Sequence, residues 1–73
     1  MSDLKVELHR LKRSKNKTVD FSKRELTFIP KEIYSVNIIE ELDLSNNSIA
    51  HIDPDISQLF RLKTLNLQNN SLT

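Results

Sequence analysis

Two histidines, an adjacent pair of glutamates and a run of lysines and arginines are the residues in this 73-residue chain with most scope for chemistry. His9 and His51 could hold a metal or move a proton. They fall in different segments, with no cysteine and no metal-ligand spacing around them. His51 sits between Ile49 and Ile52, where a turn would expose a polar side chain. Glu40 and Glu41 are neighbours, so on a strand they point to opposite faces and cannot share a proton as a catalytic dyad. The chain has no glycine, which rules out a glycine-rich phosphate loop. Three N-x-S/T sequons, at Asn16, Asn46 and Asn69, read as incidental without a secretory leader. The expectation is a protein with no catalytic residues, no metal and no cofactor.

The elements that would position these residues must be small. Seventy-three residues make at most one domain with a marginal core, and no disulfide can support it. Met1-Ser2-Asp3-Leu4-Lys5 lacks the apolar run of a signal peptide, and no stretch is long enough to span a bilayer. These features predict an intracellular, cytoplasmic protein without a transmembrane segment. Charge is unevenly placed. Residues 1–24 carry eight lysines and arginines against three acids, whereas residues 25–73 carry three against seven. Such asymmetry marks a change of structural role or a binding segment.

The change falls near the start of a repeat. Val19-Asp-Phe-Ser, Leu42-Asp-Leu-Ser and Leu65-Asn-Leu-Gln begin 23 residues apart. Apolar residues then recur at fixed offsets. The first unit gives Val19, Phe21, Leu26, Ile29, Ile33, Val36 and Ile39; the second gives Leu42, Leu44, Ile49, Ile52, Ile56, Leu59 and Leu62. The third begins with Leu65, Leu67 and Leu72. At this composition the coincidence has a chance on the order of 10⁻⁷. Alternating residues such as Leu42 and Leu44 share one face of a short strand, and the later three- and four-residue spacings suit a helical or 3-10 return. Each unit leaves an apolar edge that stacking would bury, laying the strands side by side in a parallel sheet.

Residues 19–73 resemble leucine-rich repeats, through Leu42-x-Leu44-x-x-Asn47-x-Ile49 and Leu65-x-Leu67-x-x-Asn70-x-Leu72. Ile29-Pro30-x-x-Ile33 resembles the 23-residue class of intracellular scaffold proteins, some of which act around Ras-type GTPases. The resemblance implies an α/β solenoid with a short parallel sheet on the concave face, 3-10 or helical return segments and an N-terminal capping helix. It also implies that Asn47 and Asn70 form a structural ladder of buried amides. The first unit has Arg24 at the ladder position, which suits an atypical terminal repeat with its loop open to solvent. The second unit moves its proline to Pro54, leaving Asp53 to cap the return segment.

The expected domains are a basic capping helix and link over 1–18, then repeats over 19–41, 42–64 and, in part, 65–73. Leu4, Leu8 and Leu11 have helical spacing, Ser2 or Asp3 would be the N-cap, and Val6 falls off the stripe. Thr73 ends inside a repeat, so the chain reads as a fragment, or as a unit completed by a larger complex or self-association through its C-terminal edge. The expected partner-binding face is built from three outward columns: Thr18, Glu41 and Thr64; Asp20, Asp43 and Asn66; Ser22, Ser45 and Gln68. Its Asp20–Asp43 pairing favours a basic protein partner. The leading reading is a non-enzymatic protein–protein interaction module in an intracellular scaffold or adaptor. The alternatives are a targeting arm of a larger signalling protein or enzyme, and binding of nucleic acid or an anionic membrane through a basic patch of Arg10, Lys12, Arg13, Lys15 and Lys17. Nucleic acid is disfavoured because no aromatics interleave the basic residues.

Overall fold

The computed structural model describes residues 4–72. Three strands, β1 (Thr18–Asp20), β2 (Glu41–Asp43) and β3 (Thr64–Asn66), form one parallel sheet in the order β1-β2-β3. Thr18 pairs with Glu41, and Glu41 with Thr64, so each step across the sheet is one 23-residue period. The pairing continues past the strands. Phe21 N donates to Asp43 O at 2.8 Å and Leu44 N to Asn66 O at 2.8 Å; further on, Lys23 N reaches Ser45 O and Asn46 N reaches Gln68 O. The loops therefore stack in the same register as the strands.

Turning the chain without glycine falls to residues in the left-handed region. Asn46 and Asn69 adopt φ of 57° and 59°, which asparagine tolerates better than most residues. Lys23, one period earlier, has φ 56°, and Glu25 has φ 59°. The first loop is thus built with less suitable residues than the two that follow it.

The return segments differ as their prolines do. In the first unit Pro30 precedes a short helix, α2 (Lys31–Tyr34). In the second, Asp53 caps a 3-10 turn over Pro54–Gln58, its side chain accepting from Asp55 N at 2.9 Å, with Pro54 where a missing N–H does no harm. At the amino end α1 (Leu4–Arg13) buries Leu8 and Leu11 and leaves Val6 exposed. It stops where Ser14 turns its N–H and hydroxyl onto Leu11 O. The N-cap expected at Ser2 or Asp3 lies outside the described residues.

Burial follows the stacking order. Every template residue of the first unit is buried, and Ile33, Ile39, Leu42, Leu44 and Ile49 are almost wholly enclosed. The later positions depart from the template: Ile52, Ile56, Leu62, Leu65 and Leu67 are only half-buried, and Leu72 is 43% exposed. The cause is geometric, because an interior position needs a layer on both sides and no further unit covers β3 among the described residues.

Tyr34 packs in this core, but its buried hydroxyl finds no hydrogen-bond partner among the described residues. Burial raises the pKa of its phenol, and the charges of Asp53 and Asp55 add to the shift. An unpaired buried hydroxyl costs stability. Tyr34→Phe should therefore leave stability unchanged or raise it by about 1 kcal/mol in urea unfolding; a clear loss would reveal a partner for the hydroxyl.

Candidate binding surface

On the open face of the sheet the alternating residues stand in registered columns. Thr18, Glu41 and Thr64 are exposed, and the Thr18 hydroxyl donates to Glu41 Oε1 at 3.3 Å. Asp20, Asp43 and Asn66 lie beside them, and the two columns border a shallow depression of about 290 Å³. The middle column also serves the backbone. Asp20 Oδ1 accepts from Ser22 N at 2.9 Å and from its hydroxyl at 2.7 Å. Asp43 Oδ1 accepts from Ser45 N at 2.9 Å, and Asn66 Oδ1 from Gln68 N at 3.0 Å. Each repeat thus uses the residue at this offset to start its loop, an Asx turn that glutamate is too long to make. The Ser22 hydroxyl and backbone N–H hold the Asp20 carboxyl below the usual carboxylate range.

The third column departs from the expected binding face. Ser45 is buried at 6% exposure, because the chain has already begun to turn inward past β2, and it cannot meet a partner. Ser22 is half-buried, and Gln68 is exposed.

Behind the loops lie the asparagine amides. Asn47 Nδ2 donates to Phe21 O at 3.0 Å, Leu44 O at 2.9 Å and Ser45 O at 3.2 Å, while its Oδ1 accepts from Arg24 N at 2.9 Å and Leu26 N at 3.0 Å. Asn70 repeats the arrangement, donating to Leu44 O and Leu67 O and accepting from Ile49 N. It is only half-buried.

The first loop is open to solvent, with Lys23, Arg24 and Glu25 exposed, yet the Arg24 side chain is not free in it. Its guanidinium forms a two-pronged ion pair with Glu7 of α1, with Nη2 2.6 Å from Oε1, and lies 5.6 Å from the centre of the Phe21 ring. The hydrogen bonds from Arg24 hold Glu7 below the usual carboxylate range, and the charges of Arg24 and Arg10 reinforce them. Lys17 likewise stands apart from the expected basic patch: its ammonium is 3.6 Å from Glu40, which Lys63 approaches to 3.4 Å from the other side. Partial burial opposes the charge on Glu40, but the two lysines outweigh it and depress its pKa. Residues 17, 40 and 63 form another column at the 23-residue period, with alternating signs that sequence reasoning overlooked. Arg10, Lys12, Arg13 and Lys15 are exposed. His9 and His51 are exposed, and no cluster among the described residues could hold a metal ion.

Three in-register strands 23 residues apart, their successive loops bridged by the Asn47 and Asn70 amides, define a repeat protein. The family model for Leucine Rich Repeat matches residues 39–59 and 61–73. Residues 39–73 of the chain belong to that family. No curated protein and no solved structure matches the chain. Proteins of this family generally mediate protein–protein interaction, and their repeat domains are typically non-enzymatic.

Two measurements probe this geometry. Asn47→Ala strands several buried backbone groups and should cost about 3 kcal/mol in urea unfolding, against about 1 kcal/mol for Asn70→Ala, whose partners are closer to water. The depressed pKa of Glu7 means that its contribution is present above the unfolded-state value and fades as pH falls through the folded one. Glu7→Gln should therefore cost about 0.5–1 kcal/mol at pH 7, as befits a partly exposed pair. That difference should vanish by about pH 3, below the ordinary carboxylate range; a gap that persists there would mean that charge is not its origin.

Proposed function

We propose that this chain is a non-enzymatic protein–protein interaction module, the N-terminal part of an intracellular leucine-rich-repeat scaffold or adaptor. In this reading residues 19–41, 42–64 and 65–73 are successive units of a 23-residue solenoid, and residues 1–18 cap its first edge. The burial of Leu8 and Leu11 and the Glu7–Arg24 pair support the capping role. The observation that carries the functional reading is the register of the open sheet face, with Thr18, Glu41 and Thr64 exposed in line beside Asp20, Asp43 and Asn66. A rigid row of polar side chains at a spacing of about 4.8 Å suits an extended segment of a partner. Its acidic balance suits a basic one.

The half-buried Leu65 and Leu67 and the exposed Leu72 favour completion of the stack by another unit, whether a further repeat or a second copy. That edge would place the module within a larger assembly.

Selection from a displayed random-peptide library should enrich Lys- and Arg-containing ligands. Their binding should fall at least about tenfold on the double substitution Glu41→Arg and Thr64→Arg, the scale of a lost charge-paired contact. Glu32→Arg, placed on α2 away from this face, should leave it unchanged. Ligands indifferent to the double substitution would place the interaction elsewhere.

A further inference from the structure

The outer face of α1 remains unexplained by this reading. At 100° per residue, Leu4, Leu8 and Leu11 share one side of the helix. Leu8 and Leu11 are buried there, and Glu7 at the margin is held by Arg24. Glu7 is the only carboxylate in the Leu4–Arg13 sequence. The opposite side is Val6, His9, Arg10 and Arg13, flanked by Lys5 and Lys12, and every one of these is exposed. Among the described residues none of the five cations Lys5, Arg10, Lys12, Arg13 and Lys15 forms an ion pair. The helix's one acid is thus paired with Arg24, and the strip turned outward is cationic, with no ion pair among the described residues.

We infer that this strip docks on an anionic lipid surface. Charge complementarity requires an anionic partner, and the neighbours of the cations choose between the candidates. Val6 is 49% exposed in the middle of the strip. Beside Arg10 and Arg13 it is placed to enter the headgroup layer while the arginine and lysine stems lie along it. A nucleic-acid backbone offers that valine nothing, and the face has no Phe, Tyr or Trp to stack on a base and no Asn or Gln amide to read one. The leucine stripe is already committed to the core, so the contact is adsorption through the charged face rather than insertion of an amphipathic helix. Adsorption of this kind is reversible and strongly screened by salt. No helix among the described residues is long and apolar enough to cross a membrane, so the docking is peripheral as far as those residues extend.

The test is cosedimentation of the full chain with vesicles of phosphatidylcholine alone or with about one-third phosphatidylserine, the anionic class that such clusters address. Binding should occur only to the anionic vesicles and should disappear as salt is raised to about 0.5 M. Each lost cation should weaken it about fivefold, so the triple substitution Lys12→Gln, Arg13→Gln and Lys15→Gln should cost on the order of a hundredfold. Val6→Ser should weaken vesicle binding, while unchanged circular dichroism of both variants would confirm that the fold is intact. Absence of binding to anionic vesicles at low salt, or equal binding to neutral ones, would overturn the inference. So would capture of a duplex or single-stranded oligonucleotide more tightly than vesicles at matched salt.

Discussion

Asn47 has one amide and five backbone obligations. It donates to Phe21 O, Leu44 O and Ser45 O and accepts from Arg24 N and Leu26 N. Those groups belong to two successive turns with no glycine to relax them, and they are shut away from water by the same leucines that bury the strands. A buried backbone group without a partner is expensive, so the loops can be buried only where a side chain of this shape supplies both donors and acceptors. The short parallel strands follow from that. Three residues of pairing per strand would fix register weakly, but the amide locks the loop beyond each strand to its neighbour.

The same register organises the charges. With positions stacked one period along, charges at the same offset of successive units stand side by side. Lys17, Glu40 and Lys63 do this at the entry to the strands. Glu7 and Arg24 do it differently, joining a helix that lies outside the periodic pattern to the loop that departs most from it. Arg24 occupies the offset of Asn47 and Asn70, and among the described residues it is α1, not a strand and loop, that lies before its unit. Its side chain swings outward to the helix, while its backbone N–H is served by Asn47 from behind.

Much of this was legible from residue type and period. Strand positions, the parallel order and the different return segments followed from apolar offsets and the displaced proline, because the offsets recur every 23 residues and a proline acts locally. What escaped was where one residue has two duties. Asp20 and Asp43 read as binding-face acids and do face outward, but their carboxylates also start the loops. Alternation points Ser45 outward, but it holds only while the chain stays extended; past Asp43 it turns, and Ser45 goes inside. The Glu7–Arg24 pair links residues 17 apart, a separation that matches no period, so nothing in the spacing announced it.

The amides also give the stack a direction in time. Asn47 closes the turn that contains Arg24, and Asn70 reaches back to Leu44 and Ile49. The first two turns are thus each finished by a side chain encoded about one period later. A ribosome delivers the chain from the amino end, so each newly emerged loop waits for roughly 23 further residues before its carbonyls and amides are satisfied. During synthesis the growing end trails an unfinished turn, and α1, made before the loop of Arg24, has the Glu7 carboxylate ready to receive that arginine.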